Sequence, residues 1–302
     1  LKRRGIAVDQ ALEVAMLFPM FLGFVVFTIY PIFWVLRWAW FEYAGFGRAY
    51  FVGLDNFVRA FTRDGNFWIA VVNTFYLAAA KLVLEMPLSI ALAVFVNKRF
   101  RGSSAFRIIY FLPTVFSIAV VGLIFTILFS AYNGIVNALL VHAGVLSANI
   151  NWFADRWLAL TVVLLVSLWS TFGLNMVYFL MGLQNIPEEL YECSTLDGAS
   201  GQVQFFRITL PLLAPVMQVV FMLSMLGTMR IADLVLVMTN GQPGGSTEVV
   251  MTYIFKFFFV YGDAAGRSQY GYGSALAIIT GFMLAIITVF YLRMSKGLKE
   301  IY

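Results

Sequence analysis

The sequence has one cysteine, Cys193, and one histidine, His142, among 302 residues, and only 12% of its side chains are charged. A single cysteine excludes an intrachain disulfide framework, and a single histidine without CxxC or HExxH leaves no ordinary structural or catalytic zinc site. No GxxxxGK[ST] occurs, so no phosphate-cradling loop can be assigned. Typical soluble domains are roughly a quarter charged, whereas this chain is 62% hydrophobic with a mean hydropathy of +0.88. That balance excludes a soluble globule, because the excess apolar surface must face lipid. The net charge of +5 does not point to nucleic acid: the bases flank apolar runs and form no continuous stripe.

What is present is long apolar sequence. A helix crosses about 30 Å of hydrocarbon with about 20 residues, and six stretches qualify: Ala11–Trp34, Phe67–Val96, Ala105–Phe129, Trp157–Leu183, Leu212–Met238 and Tyr272–Arg293. They lack the alternating pattern of an outer-membrane barrel, so the expected fold is an all-α polytopic membrane protein of six spans forming one domain over residues 1–302. Lys2, Arg3, Arg4, Lys98, Arg99, Arg101, Arg107, Arg207, Arg293, Lys296 and Lys299 collect in short segments on one side, against eight bases spread over longer loops on the other. The positive-inside rule then places both termini in the cytoplasm. The first run exceeds the apolar region of a signal peptide and no small-residue cleavage motif follows, so it reads as a retained helix. Pro87 and Pro113 are expected to bend or interrupt their spans.

The loop near residues 184–211 is unusual for its side, with Glu188, Glu189, Glu192 and Asp197 against a single base, Arg207. Pro187 suits a first helical turn, Glu188 and Glu189 favour a helix N-terminus, and Gly198 can end the helix in a left-handed conformation. A short extramembrane helix follows, with Leu190, Ser194 and Asp197 on one face at i, i+4 and i+7. A plain surface linker has the same spacing.

This segment closely resembles the EAA loop of binding-protein-dependent ABC transporter permeases, in their carbohydrate, maltose-transporter-like branch. Glu192-Cys193-Ser194 stands in the Glu-Ala-Ala position, Gly198 has the required spacing, and Ile208, Leu210 and Pro211 complete the second half. The departure is Cys193-Ser194 in place of two alanines, both still small. Phe111-Leu112-Pro113, Leu168-Trp169 and Leu236 to Gly241 with Pro243 extend the likeness over most of the chain. The resemblance implies a type I ABC importer permease fold in a bacterial or archaeal cytoplasmic membrane. The loop would be a coupling helix docking on a cytoplasmic ATPase dimer, with Leu190, Tyr191, Glu192, Asp197, Gly198, Ala199 and Pro211 as its functional residues. It also implies a second homologous permease, an extracytoplasmic solute-binding protein and a sugar substrate. ATP and Mg would be bound by the partner ATPase, with no cofactor, metal or catalytic residue in this chain.

Polar groups inside apolar spans tend to face the bundle interior. By spacing from the loop, the family's sugar contacts fall on Ser167, Ser170, Thr171 and Leu174 of the fourth span and on Ser224, Gly227 and Thr228 of the fifth. Hydroxyls and small residues suit a neutral polyol, and they equally suit close helix packing. Leu174 departs from an aromatic residue expected there. Lys81 and Glu85, four apart in the second span, are either a neutralised pair or the relay of an ion-coupled secondary transporter. An importer for glycerol phosphates is a narrower alternative, in which Arg230 would matter. The aromatic cluster Phe255, Phe257, Phe258, Phe259 and Tyr261 reads as an interfacial belt, and His142 as an ordinary loop histidine.

Overall fold

The computed structural model describes residues 15–98, 100–259 and 269–299. These gather into two compact units, Leu1–Asp64 with Ile254–Ile286, and Gly65–Tyr253 with Ile287–Tyr302. In the first, α1 (Ala15–Trp38) leads into a two-residue antiparallel ribbon, β1 (Phe41–Glu42) and β2 (Tyr50–Phe51), in the register Phe41 to Phe51 and Glu42 to Tyr50, and then into the short α2 (Asp55–Thr62). The second unit opens with α3 (Gly65–Asn97), about 50 Å long at 1.5 Å per residue, followed by α4 (Ser103–Val115), α5 (Ile118–Leu128) and α6 (Ile135–His142). After these come α7 (Arg156–Gln184), α8 (Glu188–Leu196), α9 (Gly201–Leu212), α10 (Ala214–Met229) and α11 (Asp233–Met238). The last helices are α12 (Val250–Phe258) and α13 (Tyr270–Lys299). Among the described residues four helices are long and apolar enough to cross a membrane, and six if each of two bent pairs counts as one.

Two expected spans are not straight. Between α4 and α5 the direction changes by 96°. Phe116 and Ser117, just beyond Pro113, adopt extended backbone with ψ of 144° and 132°, which no helix can accommodate. Between α9 and α10 the bend is 66°, with Pro211 before it and Pro215 in the first turn after it. The fifth run also ends early, at Met229, and its last residues form the separate α11. By contrast α3 continues through Pro87, so that proline does not interrupt its span. The expected start of the first span at Ala11 lies outside the described residues.

Burial in the second unit follows the apolar faces. One core joins Leu77 of α3, Val121 of α5, Leu160 and Val163 of α7, and Leu234 and Val235 of α11. Another joins Ile90 and Ala93 of α3, Met176 and Phe179 of α7, Leu213, and Val220 of α10. Asp155 caps α7, its Oδ1 accepting from the backbone N–H of Trp157 at 2.9 Å and of Leu158 at 3.0 Å.

Gly173 marks the tightest crossing, since a Cβ there would lie 1.8 Å from the carbonyl oxygen of Tyr110. Backbone cannot yield as a side chain does, so Gly173→Val is expected to abolish most folded protein. Gly281→Ala, at a position with nothing within 4 Å, should leave the yield unchanged. Size-exclusion profiles of fluorescently tagged variants measure both.

Candidate functional site

The acidic loop folds as its residues dictate. Pro187 precedes the first turn of α8, with Glu188 and Glu189 within it. At the other end Gly198 has φ +80°, the Gly198 N–H donates to Thr195 O at 3.0 Å and the Ala199 N–H to Ser194 O at 2.9 Å. This paired pattern is a Schellman motif, in which the left-handed glycine satisfies two carbonyls of the last turn.

The helix is held from behind by a residue that sequence reading missed. Gln204 Nε2 donates to Tyr191 O at 3.2 Å, to Ser194 Oγ at 2.9 Å and to Thr195 Oγ1 at 2.9 Å. The Tyr191 hydroxyl lies 2.9 Å from Thr209 Oγ1. Nothing in local spacing announces Gln204, because the contact spans ten residues and depends on how α9 folds back.

This clip corrects the expected face of α8. Ser194 turns inward with Tyr191, both half-buried, because its hydroxyl is engaged by Gln204. The exposed side carries Glu188, Glu189, Leu190, Glu192, Cys193, Leu196 and Asp197. Ala199 and Pro211 are half-buried and Gly198 is exposed. None of the four acids has an ion-pair partner among the described residues. A cavity of about 380 Å³ lies beside the helix, lined by Tyr191, Gln204, Thr209, Asn97 and Lys98 among others.

Within the helices, a polar cluster joins α3, α7 and α10. Glu85 is fully buried and Lys81 is 5% exposed, with Lys81 Nζ 4.0 Å from Glu85 Oε1. The Thr171 hydroxyl donates to that same carboxylate oxygen, and Glu85 Oε2 has no hydrogen-bond partner among the described residues. Thr171, one of the sugar-path candidates, therefore meets the ion pair directly. Asn175 Nδ2 donates to Ser224 Oγ at 2.8 Å, tying α7 to α10.

The remaining candidates turn to their own helices. Ser170 Oγ donates to Val166 O at 2.9 Å and Thr228 Oγ1 to Ser224 O at 2.8 Å. Ser167, Ser170, Ser224 and Thr228 are buried, Thr171 and Leu174 half-buried, and Gly227 is exposed, with open space where a Cβ would stand. The structure thus gathers Thr171, Asn175 and Ser224 with Lys81 and Glu85 at neighbouring helix contacts. Ser170 and Thr228 are spent on i−4 carbonyls. Arg230 follows α10 as its exposed cap residue, and no hydrogen bond joins its side chain to the hydroxyl groups.

A third feature is the turn-rich segment at residues 239–249. Asn73 Nδ2 donates to Ser246 O at 2.7 Å and Glu248 O at 2.6 Å, while Arg156 donates twice to Asn73 Oδ1, at 3.1 and 2.7 Å. Thr247 Oγ1 donates to Gln242 O at 2.7 Å and lies 2.9 Å from Thr239 Oγ1. Gly241 has φ +79°, a left-handed conformation that favours glycine, and a Cβ there would also stand 2.1 Å from Glu248 Oε1. Asn73 and Arg156 are distant in sequence from this segment and carry no motif, which is why neither was foreseen.

Residues 85–299 match the family model of the binding-protein-dependent transport system inner membrane component. The chain belongs to this family. As the EAA-like loop implied, the permease aligns over nearly its whole length with family members from bacteria and archaea. It is 30% identical to the arabinooligosaccharide transport permease AraP of Bacillus subtilis, over 93% of this chain and 87% of that one. It is 29% identical to the trehalose/maltose transport permease MalF of Thermococcus litoralis, over 97% and 96%. Among solved structures, a chain of a bacterial ABC transporter involved in import of the acidic polysaccharide alginate superposes with a TM-score of 0.84. The two are 22% identical and cover 98% and 99% of each other, a likeness of fold.

Proposed function

We propose that the chain is the membrane-spanning permease subunit of an ATP-driven importer of sugars, of oligosaccharide class. In this reading it crosses the cytoplasmic membrane six times with both termini inside. It shares the translocation path with a second homologous permease, receives sugar from an extracytoplasmic binding protein and couples through α8 to an ATPase dimer. The observation that carries the coupling role is the exposed acidic side of α8, fixed by Gln204 and the Schellman turn while its four carboxylates have no ion-pair partner among the described residues. A rigid helix with an unpaired acidic face is suited to a basic docking cleft. The sugar class is supported by the relatives, whose names specify arabinooligosaccharides and trehalose or maltose.

Closure of the ATPase pair would move the docked α8, and with it α7 and α9, which flank it in the chain. Inward-open and outward-open states would then interconvert. Ser167, Ser170, Thr171, Leu174, Ser224, Gly227 and Thr228 would line the path in the state that parts α7 from α10, with Thr171, Ser224 and the exposed Gly227 as first contacts. The glycerol-phosphate variant of this reading is the less supported. It requires a base that engages the ligand, and Arg230, the exposed cap residue of α10, makes no hydrogen bond to the hydroxyl groups of Ser224 or Thr228.

Orientation is the part a simple experiment settles. With Cys193 replaced, a cysteine at Gly245 is expected to react with an impermeant thiol reagent added to intact cells, and one at Gly201 only after permeabilisation. The reverse pattern would invert the topology and remove α8 from the ATPase side.

A further inference from the structure

The unit formed by α1, the ribbon, α2 and the start of α13 holds a groove lined by none of the path or coupling candidates named above. Its volume is about 830 Å³, and its lining includes Glu42, Arg48, Asp55, Arg59, Arg63 and Tyr43. Five charges of both signs face one space, yet among the described residues no carboxylate lies within ion-pair distance of any of the three guanidinium groups. Arg59 is fixed in place: Nη1 donates to Gln269 Oε1 at 2.8 Å, and its guanidinium lies 3.8 Å from the centre of the Tyr272 ring. The side chains of Arg48 and Arg63 have no hydrogen-bond or ion-pair partner among the described residues.

The position of α2 says what surrounds this groove. Asn56 Nδ2 donates to Ala39 O at 2.9 Å and Phe41 O at 3.1 Å, pinning α2 to the end of α1. Arg59 pins it to Gln269 and Tyr272, at the start of α13. Both α1 and α13 are long enough to span a membrane, and their lipid-length windows are 0% and 17% buried. A helix tied to the ends of two such spans lies at the membrane surface. On its outer side Leu54, Val58 and Phe61, at i, i+4 and i+7, are 60%, 47% and 58% exposed, while Asn56 and Ala60 are buried. An exposed apolar ridge beside basic side chains is the pattern of a helix lying in the headgroup plane. A sugar would account for the charged groove but not for the ridge next to it.

We propose that this groove binds the headgroup of a zwitterionic phospholipid, a phosphoethanolamine. Its phosphate sits against Arg48, Arg59 and Arg63, its ammonium against Glu42 and Asp55, and the Leu54–Val58–Phe61 ridge rests in the acyl boundary. Separated charges of both signs complement a ligand that carries both, and the carboxylates need a donor that a choline headgroup lacks. The site is independent of the sugar-import reading and would anchor this unit in either transport state.

The test is native mass spectrometry of the full-length chain, delipidated in detergent and then given phosphatidylethanolamine, phosphatidylglycerol or phosphatidylcholine. Wild type is expected to retain phosphatidylethanolamine best, and R48Q/R63Q to retain it about tenfold less at an unchanged size-exclusion profile. Should that variant fail to fold, E42Q/D55N decides, because removing the acids should move the preference to phosphatidylglycerol. Equal retention of the three lipids, binding of inorganic phosphate that phosphatidylethanolamine does not displace, or an unshifted preference in E42Q/D55N would overturn the proposal. So would loss of binding-protein docking in R48Q/R63Q with lipid retention intact, which would assign the face to a protein partner.

Discussion

Glu192→Lys is expected to abolish transport-coupled ATP hydrolysis while leaving the chain inserted and folded. Glu192 is exposed on α8 and has no ion-pair partner among the described residues, so its reversal disturbs no internal contact. At a docking surface the same change replaces attraction by repulsion. Losing a close interfacial charge contact costs about 2–5 kcal/mol, some 30-fold or more in affinity. Substrate-stimulated hydrolysis by the reconstituted complex, with the ATPase titrated, measures this. Hydrolysis at the parental rate with parental ATPase affinity would remove Glu192 from the interface. Gln204→Leu should give a milder version, because it frees the back of α8 without altering its acidic side.

The second large effect is expected at the buried pair. Replacing Lys81 by Met leaves the Glu85 carboxylate uncompensated at a site with no solvent exposure, where among the described residues only Thr171 donates to it. Breaking a buried pair by removing one partner costs about 3–5 kcal/mol, whereas replacing both with apolar groups is often neutral. Lys81→Met should therefore sharply lower thermal stability in detergent, and Lys81→Met with Glu85→Met should recover most of it. The double variant also separates the two readings of this pair. ATP-driven transport should survive in it, whereas a folded double variant with no transport would restore the ion-relay reading.

These two sites show what the sequence could and could not convey. The acidic loop was legible as a short helix because proline, acidic residues and glycine act locally, and its ends fall where those residues place them. The face it presents was not, since Gln204 reaches Ser194 through the return of α9. The long apolar runs located α3, α7 and α13 closely. Pro113 marked the interruption that follows at Phe116–Ser117, but composition cannot register a turn that no proline announces, so the break after Met229 passed unseen. The Lys81–Glu85 pair was visible from its four-residue spacing, but its link to Thr171 joins two helices 86 positions apart. The short α2 was hidden inside a polar loop, though Leu54, Val58 and Phe61 carried its period. Asn73, Arg156 and the 239–249 segment meet only in three dimensions.

The chain's one cysteine offers the most direct test of the coupling role, because Cys193 lies exposed on α8, next to Glu192. Its rate of reaction with a maleimide can be measured in the isolated chain and in the complex with the ATPase, without introducing a mutation. If α8 docks in the ATPase cleft, labelling should slow by an order of magnitude or more on assembly, and should return to the rate of the isolated chain in the complex carrying Glu192→Lys. Labelling at the same rate in the isolated chain and in the intact complex would contradict the account.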